Sequence, residues 1–260
     1  MSQTDKSRLQ IAIESANKQG RTALIPFITA GFPDMDRFWE ELQAIDQAGA
    51  DIIEIGVPFS DPVADGPVIE NASRDALARG VTLAWILDGL KQRAGQFKAQ
   101  LVLMGYINPF MQYGYEKLAK DAHQAGVAGF IIPDVILEES QEIRQALAPY
   151  DIDVITLVAP NTSLERMKEY AQSARGFVYV VSVLGTTGGT VDLADSVTNT
   201  LSRAREAFDI PLALGFGLKE PSQLDVLPSD MRPDAAVFGS ALLRHIEEGK
   251  PVASFLAPWL

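Results

Sequence analysis

Residues 51–67 read DIIEIGVPFSDPVADGP. Ile52–Ile55 has the length and hydrophobicity of a strand buried on both faces, yet Glu54 stands inside it. Short, nearly continuous apolar runs bounded by turn residues are the mark of parallel strands covered by helices. The run opens into a loop dense with proline, glycine and acid, where Asp65 lies eleven residues beyond Glu54. A carboxylate on a buried strand and a second one in the following loop point to a parallel α/β fold whose strand ends hold the chemistry.

The same reading extends in both directions. Further strand candidates are Ala23–Ile28, Leu101–Tyr106, Ala128–Ile132, Val154–Val158, Phe177–Val181, Pro211–Leu214 and Ala235–Phe238. Helical patterns lie between them. Phe38, Leu42 and Ile45 recur at i, i+4, i+7, as do Leu83, Leu87 and Leu90, with Ile86 on the same face. Thr82, Ser163 and Ser240 are expected N-caps. Leu9 and Ile13, one turn apart, predict an extra N-terminal helix, and the interval from Ile55 to Leu101 has room for two helices. Eight strands, each followed by a helix, in about 250 residues predict an α/β fold of the (β/α)8 TIM-barrel type. It would carry an extra N-terminal helix and an extra helix after strand 2. A doubly wound open sheet is the rival, but the first βα turn lacks G-x-G-x-x-G. No Pro-, Gly- or Ser-rich linker interrupts the chain, so residues 1–260 are read as a single barrel domain.

Composition narrows the function classes. The 260 residues are 47% hydrophobic, enough for a sizeable core, and carry a net charge of −12 with no Lys/Arg cluster. That argues against nucleic acid and anionic membrane surfaces, which need a basic footprint. A small phosphorylated ligand stays compatible, because backbone amides can hold it. With no cysteine, disulfides, thiolate catalysis and Cys-type metal sites are ruled out. The start MSQTDKSRLQ has no apolar signal core, and no apolar run approaches the roughly 18 residues of a membrane span. A cytoplasmic location is expected.

In a barrel the site is built from the loops after the strands. Glu54 is either a structural glutamate paired with a cation or a general acid whose pKa burial raises. Asp65, in a Pro/Gly loop, is either a turn former or the second carboxylate of a pair. Gly185-Thr186-Thr187-Gly188-Gly189, Gly215-Phe216-Gly217 and Gly239-Ser240 follow strands six, seven and eight. Each could be only a tight turn; together they suit a phosphate held by backbone N–H groups, with Lys219 the one cation within these turns. Phe27, Tyr106, Tyr179 and Phe216 at strand ends could be core or could wall a flat apolar substrate. His123 and His245 read as surface or packing residues in helices. No metal site is expected, since two isolated histidines lack carboxylates at ligand spacing. A serine-hydrolase elbow, G-x-S-x-G, is absent.

IEIGVPFSDPVADGPVI resembles the signature of the tryptophan synthase α subunit family, and the resemblance covers nearly the whole chain. LIPFITAGFPD, MGYINPFMQYG, IIPDVILEES, VYVVSVLGTTGG, LGFGLKEP and FGSALL are similar to the family's other strand-and-loop segments. The resemblance implies retro-aldol cleavage of indole-3-glycerol phosphate to indole and glyceraldehyde 3-phosphate, without metal or organic cofactor in this chain. It implies Glu54 as the acid–base glutamate and Asp65 as the second catalytic carboxylate. Phe27, Tyr106, Pro133, Leu157 and Tyr179 would line the indole pocket. Thr187 and Gly188 would belong to a mobile loop closing over Asp65, and Phe216, Gly217, Gly239 and Ser240 to the phosphate site. Asp61, Asn108, Pro109 and Asp134 would meet a β subunit carrying pyridoxal phosphate, in an α2β2 assembly. A stand-alone lyase, a mainly regulatory subunit and a different phosphate-binding barrel such as a phosphosugar isomerase are the alternatives. The chain departs from the family at Gly185-Thr186-Thr187-Gly188-Gly189-Thr190, where Gly-Val-Thr-Gly-Ala-Arg is usual, and at Ile136, where proline is common. These departures bear on loop closure and subunit docking, not on the carboxylate pair.

Overall fold

The computed structural model describes residues 6–181, 190–215 and 217–260, with 190–194 described for the backbone alone. The apolar runs form β1 (Ala23–Thr29), β2 (Ile52–Gly56), β3 (Gln100–Met104), β4 (Val127–Ile131), β5 (Asp153–Val154), β6 (Thr156–Val158), β7 (Val178–Val181), β8 (Leu212–Gly215) and β9 (Ala235–Phe238). All the pairings are parallel, in the order β5-β4-β3-β2-β1-β9-β8-β7-β6. The two ends of that order are halves of one expected strand. Asp153 and Val154 pair with β4, and the Ile155 N–H also donates to Phe130 (2.8 Å), whereas Thr156–Val158 pair with β7. The sheet therefore returns on itself, and the eight expected strands make a (β/α)8 barrel.

The helices are α1 (Arg8–Lys18), α2 (Met35–Gln47), α3 (Pro67–Ala78), α4 (Leu83–Gln92), α5 (Ile107–Tyr113), α6 (Tyr115–Gln124), α7 (Gln141–Leu147), α8 (Leu164–Ala171), α9 (Thr190–Ala207), α10 (Ser240–Glu247) and α11 (Val252–Leu256). The expected pair after β2 is α3 and α4. The expected apolar faces are buried: Phe38, Leu42 and Ile45 on α2, and Leu83, Ile86, Leu87 and Leu90 on α4. The N-terminal helix α1 lies across the amino-end mouth. Its Leu9 and Ile13 are fully buried, and Leu9 sits 2.8 Å from where a Cβ on Gly129 of β4 would stand.

Three expectations are corrected. Between β8 and β9 the described residues form no α-helix but two 3-10 turns, Pro221–Leu224 and Ser229–Met231. Pro221, Pro228 and Pro233 remove the N–H donors that an α-helix there would need. The run Leu101–Tyr106 leaves the sheet at Met104, so Tyr106 is the residue before α5 rather than a strand residue. Thr82 and Ser163 do cap, accepting from the Trp85 and Arg166 N–H groups (each 3.2 Å), but Ser240 does not. Gly239 takes the cap position, and Ser240 begins the helix with its side chain on the pocket described next.

Candidate active site

Phe27 and Glu54 are register partners on β1 and β2, so both side chains face the barrel interior. Glu54 is 2% exposed, and its Oε2 has no hydrogen-bond partner among the described residues. Burial pushes its carboxyl up to about 8, and the negative charge of Asp65 adds to the shift. This is a titratable acid without a cation, not a structural ion pair.

Asp65 reaches the same pocket from the loop before α3. Burial moves its carboxyl up to about 6; a hydrogen bond from Tyr106 opposes the shift and Glu70 adds to it. Tyr106 ties this loop down. Its hydroxyl accepts from the Ala64 N–H (2.8 Å), and its ring stacks on Phe59 at 5.1 Å. Tyr179 on β7 completes the polar floor. Its hydroxyl is shifted well above its ordinary value by burial and by the charges of Glu54 and Asp65. The ring fits because the neighbouring strand carries Gly215: a Cβ there would fall 2.3 Å from the Tyr179 hydroxyl.

The pocket, about 630 Å³ with its solvent-open mouth, places these groups beside the turns after β8 and β9. Small-molecule sites commonly measure about 300–1,000 Å³. Phe27, Glu54, Asp65, Tyr179, Gly217, Gly239 and Ser240, all singled out in the sequence, line it together. Pro133 and Leu157 line a separate cavity with Val135, Ile155, Thr156 and Tyr170. Thr187, Gly188 and Phe216 lie outside the described residues, as do Thr186 and Gly189. Sequence reasoning missed the apolar walls Ile69 and Met104, and Arg244. Arg244 could have been found from its spacing of four from Ser240, which puts both on one helix face. The His123 ring lies tilted at 5.2 Å from that of Tyr150, and the His245 Nε2 contacts the Pro251 carbonyl (3.0 Å), in line with packing roles. Among the described residues no three His, Asp or Glu side chains are gathered as a metal site requires.

Fold and site together define a (β/α)8-barrel enzyme with paired carboxylates at its carboxyl-end mouth. A family model described as tryptophan synthase alpha chain matches residues 13–254. The chain belongs to the tryptophan synthase alpha chain family. The tryptophan synthase alpha chain of Desulfovibrio desulfuricans is 61% identical over 251 residues, which are 96% of this chain and 98% of that one. That of a Picosynechococcus species is 41% identical over 243 residues, 94% and 92% of the two chains. A solved structure of Mycobacterium tuberculosis tryptophan synthase is similar at a TM-score of 0.88 and 33% identity, covering 98% of this chain and 97% of that chain.

Proposed function

We propose that Glu54 and Asp65 are the two carboxylates with which this lyase of tryptophan biosynthesis cleaves indole-3-glycerol phosphate to indole and glyceraldehyde 3-phosphate. The observation that carries the assignment is the buried Glu54 carboxyl, whose Oε2 has no hydrogen-bond partner among the described residues, in a pocket shared with Asp65, Gly217, Gly239 and Ser240. Breaking the bond between indole C3 and the glycerol side chain needs a proton on C3, so that the ring can leave with the bonding electron pair. It also needs the proton taken from the hydroxyl that becomes the aldehyde. Glu54, protonated at neutral pH, donates the first proton and, as the resulting carboxylate, accepts the second. Asp65, mostly ionised at pH 7, accepts from the indole N–H and stabilises the positive charge that builds on the ring. Two carboxyls held at different pKa values by their surroundings can divide acid and charge-stabilising work in this way. Release of indole by the purified chain supplied with indole-3-glycerol phosphate tests the reaction, and its loss in Glu54→Gln tests the assignment.

The family's alpha chain works with a β subunit and carries no cofactor of its own. For this chain we read an α2β2 assembly, with pyridoxal phosphate in the β subunit and a cytoplasmic location, and residues 1–260 as one domain. No helix among the described residues is long and apolar enough to cross a membrane. Docking around Asp61, Asn108, Pro109 and Asp134 is supported by three exposed apolar side chains on the same segments: Val63 (86%) on the loop after β2, Met111 (56%) on α5 and Ile136 (53%) on the loop after β4. Asp134 also accepts from the Ile107 N–H (3.0 Å), bracing the first turn of α5 against the β4 loop. Titration with β subunit that produces neither a complex nor a change in turnover would remove this part of the reading.

A further inference from the structure

The same pocket is lined by two cations, Lys219 on the turn after β8 and Arg244 on α10. Each of the other arginines has an ion-pair partner or an acceptor: Arg8 donates to the Val127 carbonyl, Arg203 to the Pro160 and Thr162 carbonyls, and Arg232 pairs with Asp225. The rest follow suit. Arg244 is the exception among the described residues, and the Lys219 ammonium is also unpaired there. In a chain with net charge −12, Lys219 and Arg244 line one pocket together with no acidic ion-pair partner among the described residues.

Their placement follows from the helix. Ser240, Ala241 and Arg244 stand at i, i+1 and i+4 of α10 and line the pocket together. Long side chains on a helix lean toward its N-terminus, so the Arg244 stem runs back over the first turn to the Gly239–Ser240 corner. Among the described residues the acids that line this pocket are Glu54 on β2 and Asp65 on the loop after it. The bland alternative is a solvated arginine that merely complements the C-terminal end of a short helix.

We propose that Arg244, assisted by Lys219, supplies the charge that holds the substrate's phosphate dianion, and so sets the preference for phosphorylated over unphosphorylated substrate. This rests on the phosphate-bearing substrate inferred above, and adds Arg244 to a site read from the sequence as backbone N–H groups with Lys219 the one cation within its turns. Both residues are exposed, so Arg244→Gln and Lys219→Gln should fold normally. Calorimetric binding of glycerol 3-phosphate and of glycerol, with KM and kcat for indole-3-glycerol phosphate, reads the effect. Losing a charge-assisted hydrogen bond to phosphate should weaken glycerol 3-phosphate binding and raise KM by about tenfold in Arg244→Gln, and by more in the double variant. Turnover at saturation should stay within about twofold of wild type, since neither group reaches the reacting carbons. Unchanged binding and KM would overturn the proposal, as would an equal loss for glycerol. A wild-type chain that binds glycerol 3-phosphate through Arg244 but releases no indole would instead defeat the reaction and leave this inference standing.

Discussion

At pH 7 a carboxyl pushed up to about 8 is mostly protonated, so in the proposed reaction Glu54 would start as the acid. Glu54→Gln keeps the shape and cannot exchange a proton; turnover should fall at least to the upper end of the roughly 10²–10⁴-fold typical of acid–base catalysis, because one group serves two transfers. Retention of a tenth or more of wild-type turnover, on the order of tenfold loss or less, would return Glu54 to a structural role. The same burial has a cost in stability. A carboxyl whose pKa is raised by folding binds its proton more tightly in the native state, so its contribution is most favourable below the unfolded value. It declines as pH rises from about 4.5 to about 8. Glu54→Gln should therefore gain over wild type across that window, by on the order of a few kcal/mol at its top, as measured by urea unfolding at several pH values. Tyr106→Phe tests the neighbour. Loss of the hydrogen bond to Asp65 should raise the Asp65 pKa above its value of about 6. The acid limb of the kcat/KM profile should then move up by roughly one unit, and an unmoved limb would deny Tyr106 that role. Glu54 was legible because a carboxylate within an apolar strand is an anomaly in one dimension. The Tyr106–Asp65 bond joins residues 41 positions apart and leaves no local trace.

At the scale of elements, the amino ends of the strands are held by a recurring device. Asp51, just before β2, accepts from the Leu24 N–H of β1 (2.8 Å) and is gripped by both Arg21 terminal nitrogens (each 2.7 Å). Asp234, just before β9, accepts from the Leu212 N–H of β8 (2.7 Å) and pairs with Arg205 (2.8 Å). Asp51→Ala removes the bidentate pair and leaves the Leu24 N–H without its acceptor. The cost should be about 2–4 kcal/mol, seen as a lower urea midpoint. Because the device lies at the opposite mouth from the pocket, kcat and KM should be unchanged; a catalytic defect at full stability would contradict that separation. Strands and helices were legible from apolar spacing, which is a local property. The missing helix after β8 had a visible signal in its prolines that the strand–helix rhythm obscured. The start of α10 was misplaced by one residue, because Gly239 and Ser240 can both begin a helix.

For the whole molecule, the barrel class was readable from eight strands in sequence, whereas the means of closure was not. Closure depends on one segment finding a different neighbour at each of its ends, a pairing between residues far apart in the chain. Thr156–Val158 reach β7 some twenty residues on, while Asp153–Ile155 reach back to β4.

Closure through so short a segment makes Ile155 the clasp of a bracelet. The ladders around the ring are uneven: β2 and β3 share five register pairs, and β8 and β9 share two that Asp234 braces through the Leu212 N–H (2.7 Å), whereas β4 and β5 share two. If the ring opens anywhere without unfolding, it should part there, exposing sheet edges that closure otherwise hides. Amide hydrogen exchange reads this directly: the amides of 153–156 should exchange faster than those of 52–56 by about one to two orders of magnitude. Equal protection around the ring would mean that the clasp is as firm as the band, and that the barrel opens only by melting.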